Sequence, residues 1–204
     1  MPNITNNMCT IYSSVTLQIS VENAKEMVES LQPEVDIILD AIDGTSEKAA
    51  LIAASCLANV TVVTVGGAAG RVDPTLIVCD DLSRSSECRL LFWTKKQLRD
   101  TYKLFPKGPL KKGVNLRKIK VKKWKIWAVY SEEVQKRVEK DESSSSFRTC
   151  DGSLGTACFV TGTYGFVAAS KVVSMLANQE LIKPKILKSA LYVEASDSLV
   201  EVQE

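Results

Sequence analysis

The 204-residue sequence predicts an α/β fold built on parallel strands, and three observations carry that expectation. An almost continuous apolar run, Val35 to Ile42, has the character of a strand covered on both faces. An alanine-rich segment, Glu47 to Ala58, leads through Asn59 into a second apolar run, Val60 to Val65, and strand, helix and strand in that order make a parallel unit. Gly66, Gly67, Ala68, Ala69 and Gly70 then follow the second run at once, where the chain changes direction.

Taken in order, Thr10 to Ser20 alternates apolar and polar side chains and reads as a strand, and Val21 to Leu31 sets Val21, Ala24, Met27, Val28 and Leu31 at helical spacing. Asp43 closes the first apolar run, and Ser46 is the expected N-cap of the helix that follows. Three glycines in the five residues from Gly66 admit positive φ and a close approach by a ligand or a neighbouring strand; a tight turn with a bulge is the plainer alternative. Leu76 to Cys79 reads as a short strand, Ser83 to Thr101 as a helix, and the second half of KIKVKKWKIWAVY as another strand. Gly152 to Ala177 is apolar on nearly all sides and rich in Gly and Ala, which suits a buried helix packed closely on the sheet or on a second subunit.

These elements form one domain over residues 1–185, carrying a basic insert at about 95–125 and a flexible serine-rich loop at about 138–147; residues 186–204 form an acidic, mobile tail. The net charge of +2 hides an asymmetry: thirteen of the 26 Lys and Arg residues fall between Lys95 and Lys125, against Asp100 alone, so the partner on that side is anionic. A solvated basic face over a buried strand is the alternative. There is no histidine, which removes Ser-His and Cys-His nucleophile pairs and His-based metal sites. The six cysteines show no CxxC pair and no disulfide framework, in keeping with a reduced, intracellular protein. No run approaches the roughly 20 apolar residues that span a bilayer, so no transmembrane segment is expected.

Several pieces in this order resemble one family: DAID (40–43), KAALIA (48–53), VTVGGAAGRVDPT (63–75), DDLS (80–83), KKGV (111–114), VYSEE (129–133) and RTCDGSLGTACFVTGTYGFVAASK (148–171). They are similar to the ThiF/HesA/MoeB superfamily of adenylating proteins, and most similar to its tRNA threonylcarbamoyladenosine dehydratase branch. The resemblance implies a Rossmann-like ThiF-type fold truncated at its N-terminus: the glycine-rich strand-helix-strand unit is missing, and parallel strands are followed by antiparallel additions and a packed C-terminal helix. It also implies ATP-dependent activation of the threonylcarbamoyl carboxylate at tRNA position 37, followed by cyclisation with release of AMP, with ATP and Mg²⁺ as cofactors and tRNA as partner.

Carried over residue by residue, Asp43 would face Mg²⁺ and the ATP phosphates, a role that suits a hard carboxylate ligand at a strand end; a turn former is the alternative reading. Lys48 would approach the nucleotide or else be a solvated lysine. Gly66 and Gly67 would shape the substrate floor, with Arg71 and Asp73 either holding that loop or forming a structural pair. Cys150 matches a cysteine that some superfamily members use as an acyl acceptor, but no histidine or other evident base is present to activate it. Asp43, Arg71 and Cys150 are thus the candidate catalytic residues. Lys111, Lys112, Arg117, Lys118, Lys120, Lys122 and Lys123 are the candidate tRNA contacts, and Trp124 or Trp127 could stack on a base.

Because neither GxGxxG nor GxxxxGK followed by Ser or Thr occurs, this chain alone is expected not to adenylate. A homodimer, or a heterodimer with a complete homologue, is expected. The alternative is a non-catalytic partner or a tRNA- or protein-binding module. The expected location is cytoplasmic, with mitochondrial association as the other possibility.

Overall fold

The apolar run from Val60 to Val65 yields an interior strand of the sheet. The computed structural model describes residues 17–106, 122–134 and 155–187. Helix α1 (Ala24–Ser30) precedes strand β1 (Ile37–Asp40), followed by α2 (Thr45–Leu57), β2 (Thr61–Val65), β3 (Ile77–Asp81), α3 (Arg89–Asp100), β4 (Trp127–Ser131) and α4 (Cys158–Ala177). The sheet order is β1-β2-β4-β3. β1 and β4 flank β2 in parallel, with Asp40 opposite Thr64 and Val63 opposite Trp127, while β3 adds antiparallel to β4. The expected parallel core with an antiparallel addition is therefore present.

Alternation along β2 distributes its side chains between two layers, as the two-residue period of a strand requires. Val62 packs with Ile52 and Cys56 of α2 and Leu91 and Leu98 of α3, whereas Val63 packs with Val160, Tyr164 and Ala168 of α4. Each fully buried valine contributes about 1.5–3 kcal/mol relative to exposure. A third cluster, Val28, Leu51, Ala54 and Val60, seats α1 on α2.

The structure corrects several expectations. Residues 17–20 are irregular rather than strand, and Ser20 instead exchanges hydrogen bonds with Asn23 at the start of α1, which itself begins later than Val21. α2 starts two residues earlier than expected and its N-cap is Gly44; the Ser46 hydroxyl accepts a hydrogen bond from Gln97 of α3 at 3.2 Å. Trp124 is not free to stack on a base: it is buried and stacked on Phe105, with ring centroids 4.0 Å apart and planes 9° from parallel. α4 buries Val160, Tyr164, Ala168 and Met175 against the sheet, but its opposite face is exposed. At 20 residues it is also long and apolar enough to cross a bilayer, one such helix among the described residues. Its buried stripe is that of a helix covering a sheet. Near the expected tail, the Leu187 N–H donates to the Leu104 carbonyl and the Lys185 N–H to that of Trp124, each at 2.8 Å. The serine-rich loop and residues 188–204 lie outside the described residues.

One carboxylate fixes the approach to β4. Buried Asp81 accepts from the Ser83 N–H and hydroxyl and from the N–H groups of Trp124 and Lys125, at 2.6–3.0 Å. Asp81→Ala leaves those donors unpaired inside the protein and is predicted to cost about 3 kcal/mol in urea-denaturation stability.

Candidate functional site at the strand ends

In an open α/β sheet, ligands bind beyond the C-terminal ends of the parallel strands. Three segments emerge there: 41–44 after β1, 66–73 after β2 and 132–133 after β4. Beneath them lies a buried polar cluster. The Lys48 ammonium, fully buried, donates to Asp40 Oδ2 at 2.7 Å and to the Thr64 hydroxyl at 3.2 Å, and that hydroxyl donates to the same carboxylate oxygen at 2.6 Å. Burial lowers the Lys48 pKa, and the Asp40 carboxylate works the other way. Lys48 is thus a buried cation paired with Asp40 rather than a solvated lysine.

Asp43 stands exposed at the rim, next to the start of α2. A Cβ placed on Gly44 would come within 2.2 Å of Glu47 Oε2, so this acid already lies over the helix N-terminus, where a carboxylate offsets the positive end of the dipole.

The glycine turn is held from three sides. The Gly66 N–H donates to the Val129 carbonyl at 2.8 Å, and a Cβ on Gly66 would meet Cys88 Sγ at 2.9 Å and Leu91 Cδ1 at 3.1 Å. Only glycine allows β2 to pass this close to α3. The Gly67 carbonyl accepts from the Arg71 guanidinium at 2.6 Å and from the Tyr164 hydroxyl at 3.3 Å. Arg71, also buried, reaches the Glu87 carbonyl with its second terminal nitrogen. Arg71 and Asp73 therefore do not form a pair: Asp73 accepts from Thr75, and the Val72 and Asp73 N–H groups both donate to Glu133 Oε2 at 3.0 Å. The Tyr164 hydroxyl also accepts from the Ser131 N–H at 2.8 Å, and its pKa is pushed up to about 12, chiefly by burial.

The structure thus gathers Asp43, Gly66, Gly67 and Arg71 at one end of the sheet. It adds Asp40, Thr64, Tyr164 and Glu133, which the sequence reading did not single out as site residues. For Tyr164 a signal existed, since a tyrosine in an apolar helix needs a partner for its hydroxyl. Cys150, Lys111, Lys112, Arg117, Lys118 and Lys120 lie outside the described residues; Lys122 and Lys123 are exposed. Among the described residues no three Cys, Asp or Glu side chains are grouped to hold a metal. Asp43 could be one carboxylate ligand of a Mg²⁺ that kept its waters and phosphate oxygens, the usual arrangement for that ion. The fit to ATP is partial. The turn offers backbone groups, but Lys48 and Arg71, the two cations expected at the site, are committed inward.

No family model matches the chain. Two curated relatives do: it is 32% identical over 164 residues to the tRNA threonylcarbamoyladenosine dehydratase of Haemophilus influenzae, covering 79% of this chain and 57% of the relative. To the Escherichia coli protein of the same name it is 28% identical over 148 residues, covering 68% and 51%. The chain thus spans about half the length of the curated relatives it matches. Among solved structures, the E. coli tRNA N6-threonylcarbamoyladenosine dehydratase in complex with AMP superposes with a TM-score of 0.61 at 27% identity, over 81% of this chain and 57% of that one. The same enzyme in complex with ATP gives 0.61 at 26%.

Two predictions follow from the buried cations. Lys48→Ala strands the Asp40 carboxylate in the interior and is predicted to lower stability by about 3–5 kcal/mol, whereas Lys48→Met with Asp40→Leu recovers most of that loss, read by urea denaturation. Lys95, buried and donating to the Ser85 carbonyl at 2.6 Å, has its pKa lowered to about 8, first by burial and then by Arg99, against Cys88 and Asp81. Between pH about 8 and 10.5 the native state has released this proton and the unfolded chain still holds it, so stability from this group rises with pH across that window. Thermal melts at stepped pH should show that rise, and Lys95→Met should flatten it.

Proposed function

Since curated relatives and solved structures alike match tRNA threonylcarbamoyladenosine dehydratases, a ThiF/MoeB-like family, over about four-fifths of this chain, we propose that it forms the substrate-facing part of such an adenylating site. The reaction in view is activation of the threonylcarbamoyl carboxylate on tRNA, then ring closure. The observation that carries this reading is the braced turn from Gly66 to Asp73 beside Asp43: a bare backbone surface held by Arg71, Tyr164 and Glu133 at the ligand-binding end of the sheet. ATP, when bound, supplies a leaving group to the carboxylate. This chain's residues then act by position: the Gly66–Gly67 backbone gives the substrate a close, fixed floor, and Asp43 places a carboxylate where a Mg²⁺-bound phosphate would lie. On this reading the glycine-rich phosphate loop, whose motif does not occur in the sequence, is supplied by another segment or chain. Exposed Lys122 and Lys123 begin the tRNA-facing surface, whose salt dependence would follow from phosphate neutralisation.

The inward commitment of Lys48 and Arg71 favours a second reading, in which the chain is a non-catalytic partner or RNA-binding module paired with a complete homologue. ATP–pyrophosphate exchange with threonylcarbamoyladenosine-bearing tRNA separates the two. The chain alone is expected to show none, and a complete homologue disabled at its own strand-end aspartate is expected to regain exchange when this chain is added. Asp43→Ala in this chain should abolish the gain. Exchange by the lone chain overturns the claim that the phosphate contacts come from elsewhere; salt-sensitive tRNA binding without any gain in exchange favours the second reading.

A further inference from the structure

We infer that the acidic segment from Tyr192 to Glu204 docks, within its own chain, on a corner of exposed lysines where β4 begins, and that it holds this corner in competition with other polyanions. The inference rests on the proposed reading only in taking tRNA as the competitor; the docking does not depend on it.

Three segments distant in sequence build the corner: 99–105 at the end of α3, 122–126 before β4 and 181–187 after α4. The Lys185 N–H donates to the Trp124 carbonyl and the Leu187 N–H to the Leu104 carbonyl, each at 2.8 Å. The Trp124 ring stacks on Phe105 and has the Arg99 guanidinium over its other surroundings at 5.8 Å. Leu104, Phe105, Trp124 and Ile126 turn inward, which leaves Lys103, Lys122, Lys123, Lys125, Lys183 and Lys185 exposed.

Against these six cations the three segments carry one acid, Asp100. Asp81, beneath them, is buried and already accepts from the Trp124 and Lys125 N–H groups. None of the six ammonium groups has an ion-pair partner among the described residues; Lys103 bonds only to the Asp100 carbonyl. Several cations elsewhere are engaged, Arg84 with Asp80, Lys96 over Trp93 and Lys171 over Trp127. Like charges gathered in this way repel one another and create a field that an anion relieves.

Position and charge identify the occupant. The described chain ends at Leu187, inside the corner, and the sequence continues into Glu194, Asp197, Glu201 and Glu204, with no Lys or Arg from Tyr192 onward. These acids recur at spacings of three, four and three residues, which a helical conformation would set on one side. At about 3.3 Å per residue of extended chain, Glu194 can lie about 23 Å from Leu187, and Glu204 more than twice as far. The lysines around Leu187 are therefore within reach. Each exposed ion pair is weak alone, but a short tether gives its end a millimolar effective concentration. Such docking yields to salt, and to an anion of higher charge density such as an RNA backbone.

Zero-length carbodiimide coupling, which joins a carboxylate to an amine only in contact, tests the docking on the full chain. At low salt, peptide mapping should find Glu194, Asp197 or Glu201 joined to Lys122, Lys123, Lys125 or Lys185. Both peptides should come from one chain when isotope-labelled and unlabelled chains are mixed, and high salt should remove the links. Fluorescence anisotropy with a polyuridylate probe gives the second readout. Glu194→Gln, Asp197→Asn, Glu201→Gln and Glu204→Gln together should tighten probe binding roughly 10-fold at low salt, with the gap closing as salt is raised. Absent links, links to other lysines, links only between different chains, or equal probe binding by parent and neutralised chain each overturn the inference. Failure of the tRNA-dependent exchange assay bears instead on the proposed reaction, since neither readout here uses ATP or modified tRNA.

Discussion

The Lys48–Asp40 ion pair is the contact on which the site end of the sheet depends. Asp40 ends β1, Thr64 lies opposite it on β2, and Lys48 descends from the first turn of α2, so one buried carboxylate oxygen joins two strands and a helix. Inside the protein neither charge can be left alone without a penalty of several kcal/mol. The cluster therefore sets the register of β1 on β2 and the seating of α2 together, and the loops that carry Asp43 and Gly66 leave from fixed points.

Above that base, the turn from Gly66 to Asp73 owes its shape to groups distant in sequence. Arg71 holds Gly67 and Glu87, the Glu133 carboxylate takes two consecutive N–H groups, and Tyr164 bridges Gly67 and Ser131. A glycine-rich turn would otherwise sample many conformations, since glycine loses the most freedom on ordering. Bracing by side chains from α4 and from the end of β4 leaves backbone surface free to face a substrate in one arrangement.

What could be read from the sequence follows from how local each cause is. β2 and β4 were legible because their segments are β-branched or aromatic and mostly apolar, as interior strands are, and α2 because its small residues pack on both sheet and helix. β1 proved shorter than its apolar run, with Leu39 still 48% exposed, so the expected cover on both faces is not found among the described residues. The candidate site was legible in its backbone: the glycines after β2 and the aspartate after β1 stand where the strand order predicts. Its electrostatics were not legible. Nothing within KAALIA distinguishes a solvated lysine from one paired with a carboxylate eight residues earlier, and Trp124 looked available only because its partner, Phe105, is remote in the chain. Gly66 owes its identity to Cys88 and Leu91, contacts that exist only once α3 is docked.

One hydroxyl ties the seating of α4 to the shape of the glycine turn. Tyr164 sits on the buried face of α4, and its oxygen reaches both the end of β4 and the Gly67 carbonyl. A displacement of α4 on the sheet would change the geometry of those two bonds together with the apolar packing of Val160, Tyr164 and Ala168. The position of α4 on the sheet and the shape of the glycine turn are thus tied through one side chain.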